Sequence, residues 1–196
     1  RSKQDIKVLD WGSGKGHISY MMRERGFEVV SCDLNVPNPD STFGQKTPIL
    51  SDKNIFVHPL EHQWKLPFDN KEFDLVLSFG VLEHVQDDAK SLKEIRRVLK
   101  NDGVLFFSFL PYYLSWTQKL SHLRGNYYHD HLYTNKLVYE LADNAGLTVG
   151  KIWHGQLFPK NSVVHSNWLE WLDRLICDNT PLRYFATNLE GFLLAN

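Results

Sequence analysis

Cysteine is scarce here: 196 residues contain two, Cys32 and Cys177, far apart and in no metal-binding spacing. That excludes a disulfide scaffold and a zinc ribbon. Neither sign of charge dominates, since 22 Lys and Arg meet 23 Asp and Glu for a net charge of −1. The sequence therefore lacks the electrostatic footprint for gripping nucleic acid or an anionic membrane, and no nucleic-acid partner is expected. No apolar run approaches the ~20 residues of a membrane span, and no signal-peptide pattern is present. A reducing, cytoplasmic setting follows as the default. Internal repeats and low-complexity tracts are absent too. What remains is ordinary globular composition, 42% apolar and 23% charged, in a chain long enough to bury one core. It opens on Arg1 and reaches a strand within five residues, so an upstream segment of a longer protein is expected.

Strands and helices alternate along the chain. Ile6 to Asp10 is a short apolar run ending in the glycine-rich turn Gly12-Ser13-Gly14-Lys15-Gly16. Ile18, Met21 and Met22 then follow helical spacing, Gly26 stops the helix, and Glu28 to Asp33 reads as a second strand ending in an acid. Residues 35–54 hold three prolines and read as a long loop before a third strand, Ile55 to Val57. Phe73 to Phe79 is the apolar run of a strand buried on both faces. Asp87 to Lys100 reads as a helix with acids first and bases last, and Asn101-Asp102-Gly103 turns it into a fifth strand, Val104 to Phe109. Thr134 caps a helix ending at Gly146, ahead of a sixth strand, Leu147 to His154. Trp168 to Ile176 is helical, and Leu189 to Ala195 is the last strand. The pattern predicts an α/β domain over 1–196, a doubly wound Rossmann-like sheet of seven strands with helices on both faces. Two insertions interrupt it: an aromatic lid at about 111–133, and a helical insertion at about 160–186.

Asp10-Trp11-Gly12-Ser13-Gly14-Lys15-Gly16 resembles the D/E-x-G-x-G-x-G motif of class I S-adenosylmethionine-dependent methyltransferases. Leu66-Pro67-Phe68, Phe73-Asp74-Leu75-Val76, Leu82-Glu83-His84-Val85 and Leu92 to Gly103 resemble the same family's downstream stretches, in order. A dinucleotide-binding dehydrogenase would need glycine where His17 stands, and a P-loop would need Ser or Thr after Lys15. The resemblance implies S-adenosylmethionine as methyl donor and a last strand running antiparallel between the fifth and sixth. It assigns Asp10 and Gly12 to the methionine end, Gly14 and Gly16 to the same cofactor-binding turn, Asp33 and Leu34 to the ribose and adenine edge, and Phe79 and Gly80 to the sulfonium side. For the adenine amino group, Leu60, Glu61 and His62 all remain open.

A hydroxyl acceptor must lose a proton, and histidine titrates in the right range. His84, beyond the fourth strand, and His129 and His131, in the aromatic insertion, are the candidate bases; a structural role is the competing reading for each. No metal site is expected. Tyr112, Tyr113, Tyr127, Tyr128 and Tyr133 either stack on substrate or pack beneath the lid. Trp168 and Trp171 read as a core or dimer face, and Lys93, Arg96, Arg97 and Lys100 as a solvated helix face. The expected activity is O-methylation of a small molecule or saccharide, with N-methylation open. The alternatives are a non-catalytic binding module of a larger protein and, disfavoured by His17, an NAD-dependent oxidoreductase.

Overall fold

The computed structural model describes residues 2–34, 53–125, 131–158 and 167–196. Its strands are β1 (Lys7–Trp11), β2 (Glu28–Asp33), β3 (Val57–Pro59), β4 (Phe73–Phe79), β5 (Leu99–Pro111), β6 (Thr148–Gly155) and β7 (Asn188–Leu194). They form one sheet in the order β3-β2-β1-β4-β5-β7-β6. Strands β1 to β5 run parallel, and β7 lies antiparallel between β5 and β6, as the family resemblance implies. The carboxyl ends of β1, β2, β3, β4 and β5 therefore share one rim, where open α/β sheets hold their ligands.

The helices are α1 (His17–Glu24), α2 (Asp88–Val98), α3 (Trp116–Leu123), α4 (Asn135–Asn144) and α5 (Asn167–Asn179). On one face of the sheet, α2 and α4 bury Leu92, Ile95, Val98, Val138 and Leu141 against Leu9, Val76, Leu105 and Phe107, forming the main core. On the other face, Ile18 and Met22 of α1 pack on Val8, Val29 and Leu77, while Met21 stays exposed. Side-chain caps start the helices where the sequence predicts: Asp87 accepts the Lys90 N–H, and Thr134 the Leu137 N–H.

Several expectations need correction. The helix over 87–100 ends at Val98, because Leu99 already pairs with Phe73 and opens β5. The third strand lies two residues later than predicted, with Cys32, Asp33 and Ser31 fixing its register against His58, Pro59 and Val57. Arg97 is no solvated side chain: its guanidinium bonds the Glu94 carboxylate and the carbonyls of Leu66 and Phe68, fastening α2 to the segment before β4. Arg96 and Lys100 are likewise engaged, with the Gly146 and Asn196 carbonyls and with Asp74. Trp168 and Trp171 do not enter the core; both are exposed. Tyr112 and Tyr133 are buried in the main core, and backbone bonds at Pro111, Tyr113 and Tyr133 pinch together the two ends of the aromatic insertion. Inside it lies α3, while Tyr127, Tyr128 and His129 fall outside the described residues.

Candidate active site

The turn after β1 is tied to the end of β2. The Gly12 and Ser13 N–H groups both donate to the Cys32 carbonyl, at 2.9 and 3.1 Å. Gly12 has φ +70°, and a Cβ there would stand 2.5 Å from Cγ2 of Val81. Only glycine satisfies both the left-handed backbone and the close approach of the segment after β4. Asp33, closing β2, accepts the Gly14 N–H on Oδ2 at 2.7 Å. Gly16, also left-handed, is the N-cap of α1.

Between the ends of β1, β2, β3 and β4 these residues surround a small cleft of about 40 Å³, whose walls include Trp11, Gly12, Asp33, Leu34, Leu60 and Val81. Largely apolar walls that also carry the Asp33 carboxylate and the Gln63 amide suit a flat heterocycle carrying a diol, so the residues present fit a nucleoside-containing cofactor. Of the three candidates left open after β3, Leu60 lines this cleft, whereas Glu61 and His62 are exposed.

Asp10 lies beneath the turn and does not line the cleft. It is buried, with its carboxylate receiving the Ser19 hydroxyl, which also bonds the Ser31 hydroxyl. Burial pushes its pKa up to about 6, against the opposing Ser19 bond. Gly14 is exposed at the crest of the turn, and a Cβ there would meet nothing within 4 Å.

Beyond β4 the chain makes a 3-10 turn, Leu82–His84. Phe79 and Gly80 precede it, and the Gly80 N–H donates to the Ser108 carbonyl of β5 at 3.1 Å. The turn carries Glu83 inward and His84 outward. Glu83 is 4% exposed, its Oε2 has no hydrogen-bond partner, and a Cβ on Gly80 would lie 3.5 Å from its Oε1. Burial raises its pKa to about 7. The turn is held from below by the Tyr133 hydroxyl, which donates to the Leu82 carbonyl at 3.0 Å.

Sequence reasoning passed over Glu83 in favour of its neighbour. The His84 side chain is 61% exposed, with Nε2 3.9 Å from Glu83 Oε1. His131 is half-buried where the aromatic insertion returns to the core, and His129 is outside the described residues. The available signal for Glu83 was a lone acid between Leu82 and Val85, both of which are buried.

Fold and cleft together describe an α/β domain built to hold a nucleoside cofactor at its strand ends. The chain belongs to the methyltransferase-domain family, whose pattern it matches over residues 1–152. Among characterised relatives it is 33% identical over 107 residues to the tRNA 5-carboxymethoxyuridine methyltransferase of Escherichia coli (strain K12), covering 54% of this chain and 41% of that protein. It is 32% identical over 119 residues to the ubiquinone biosynthesis O-methyltransferase of Pelagibacter ubique, covering 55% and 43%. The chain thus spans less than half the length of these curated relatives. A SAM-dependent methyltransferase from Archaeoglobus fulgidus superposes with a TM-score of 0.67 at 16% identity, over 96% of this chain and 86% of that one. The 1,6-didemethyltoxoflavin-N1-methyltransferase of Burkholderia thailandensis, solved with S-adenosylhomocysteine, superposes at 0.61 and 18% identity, over 96% and 70%. These structural likenesses show the fold. Among the described residues, no helix is long and apolar enough to cross a membrane.

Proposed function

We propose that this domain methylates a hydroxyl of a small molecule or saccharide, using S-adenosylmethionine. The observation that carries the reading is the convergence of Gly12, Asp33, Leu34 and Leu60 on one cleft at the strand ends. When bound, the cofactor supplies an electrophilic methyl group on a sulfonium. Gly12 and Gly14 let the backbone close on the cofactor, with Asp10 as the buried support of their turn and Gly16 opening α1. Asp33 accepts the ribose hydroxyls, Leu34 and Leu60 sandwich the base, and Phe79 and Gly80 form the edge facing the acceptor. Glu83, whose Oε1 faces Gly80, takes the acceptor's proton; a carboxylate of pKa about 7 is matched to that task near neutral pH. His84 and His131 then serve structurally.

Balanced charge supports a small acceptor, although one relative is named for a tRNA substrate. The two cysteines are buried and unlinked, in keeping with a reducing cytoplasm. Calorimetric titration with S-adenosylhomocysteine and with NAD tests the cofactor, and methyl release over a panel of hydroxylated metabolites tests turnover. Binding of NAD in preference to S-adenosylhomocysteine would overturn the reading.

A further inference from the structure

Strand β5 contains one residue too many. Leu105 and Phe107 face the main core, and simple alternation would place Phe109 there next. The pairing with β7 instead passes from Phe107 opposite Gly191 to Leu110 opposite Leu189, so Ser108 and Phe109 together face Glu190. This is a β-bulge. After it the core-facing residues are Leu110 and Tyr112, while Phe109 has φ +68° and is turned out, 40% exposed. A phenylalanine in left-handed backbone with its ring partly in solvent is unfavourable twice over. Such strain survives where the surroundings impose it, and it clusters at ligand sites. At the bulge the Gly80 N–H donates to the Ser108 carbonyl, continuing the β4–β5 ladder and tying the bulge to the acceptor edge.

Phe109 also begins a row of rings. Its centroid lies 6.2 Å from Phe79, Phe79 lies 5.5 Å from Phe106, and Phe106 lies 6.0 Å from Trp153 on β6. The one polar atom in the row, the Trp153 ring N–H, is already committed to Glu190 at 3.0 Å. Trp153 and Glu190 then line a polar cavity of about 440 Å³ together with Lys151, Asp173 and Arg174. Among the described residues the four side chains of the row thus present ring faces and C–H edges, with the Glu83 carboxylate beside Gly80 at one end and the polar cavity at the other.

We propose that this row seats the acceptor, that the acceptor carries a planar unsaturated ring and not a saccharide, and that Phe109 determines that specificity. A saccharide needs hydrogen-bonding partners around its ring, and the four side chains offer none that is free. A flat ring stacks against them at the offset spacings aromatic pairs prefer. The proposal rests on the methyl-transfer reading, because it takes Gly80 as the cofactor's neighbour.

The test uses the protein saturated with S-adenosylhomocysteine and titrated calorimetrically with catechol, 2-naphthol and methyl α-glucoside at up to millimolar concentrations. The two aromatic probes should bind and the glucoside should not. Phe109→Gly, whose backbone accepts the positive φ, should keep its melting temperature and cofactor affinity while losing aromatic affinity by about tenfold. Phe109→Leu, which keeps bulk without a ring face, should fall between. Failure of both aromatic probes, unchanged aromatic affinity in Phe109→Gly, or preference for the glucoside would overturn the proposal and leave the methyl-transfer reading standing. Failure of S-adenosylhomocysteine itself to bind would overturn that reading too.

Discussion

Asp33 and Gly14 are nineteen residues apart and joined directly, carboxylate to backbone N–H, at 2.7 Å. The bond holds the crest of the glycine turn over the end of β2, so the acid proposed to meet the ribose also sets the shape of the loop above it. Asp33→Ala should weaken S-adenosylhomocysteine binding by about 10- to 100-fold, the scale of a lost charge-assisted pair of hydrogen bonds. Asp33→Asn, which still accepts the Gly14 N–H, should lose less. Isothermal titration reads both, and an unchanged dissociation constant in the alanine variant would place the ribose elsewhere.

The glycines of that turn should differ in tolerance. Gly12→Ala drives a methyl to within 2.5 Å of Val81 as well as straining φ, whereas Gly14→Ala meets only the strain. The first should cost several kcal/mol and abolish cofactor binding, and the second about 1 kcal/mol. Adding Val81→Ala to Gly12→Ala should recover part of the lost melting temperature, since it removes the collision but not the backbone strain.

Glu83 predicts a pH dependence with a definite sign. Its folded pKa, about 7, lies above the ordinary 4.5. The folded protein therefore binds the proton more tightly than the unfolded chain. The group's contribution is intact below pH 4.5 and is lost as pH rises through 7. Glu83→Gln removes the penalty of a buried charge, so at pH 8 it should be the more stable protein, by roughly 2–3 kcal/mol, with the advantage gone near pH 4.5. Methyl transfer by the same variant should fall by about 10²–10⁴-fold. Thermal melts across pH check the first statement. A variant no more stable than wild type at pH 8 would refute a buried titrating carboxyl.

Arg97 should not be replaceable by lysine. Its planar fork meets Glu94 through two nitrogens, at 2.9 and 2.7 Å, while also reaching the Asn70 side chain at 2.7 Å. An ammonium can satisfy one or two of these contacts. Arg97→Lys is expected to destabilise by about 1–2 kcal/mol, measured by urea denaturation, although charge is conserved.

Much of this architecture was legible because local chemistry decides it. The glycine turn, the acid closing β2, the Asp87 and Thr134 caps and the apolar run of β4 each announce themselves within a few residues. Three features did not, and each depends on distant partners. Glu83 turns inward on a 3-10 turn propped by Tyr133, fifty residues on, while the adjacent histidine attracts attention as the residue type most used for proton transfer. The bulge at Phe109 carries no glycine to mark it and is defined by its pairing with β7. Arg97 looks like one more base on a charged helix until the segment from Leu66 to Asn70 folds beneath it.

The place of β7 has a consequence for how the molecule is made. Strands β5 and β6 do not pair with each other: β5 has β4 on one side and β7 on the other, and β6 pairs with β7 alone, which is synthesised after both. During translation β1 to β5 can assemble in order, while β6, with Val149, Ile152 and Trp153, waits with no strand beside it. The final joining event spans the length of the sheet's far half, from Val104 to Leu194. Such distant pairings are slow to form and leave sheet edges open in the interval. A nascent chain stalled before Asn188 would leave one edge of β5 bare and β6 without any strand partner, and would be prone to aggregate.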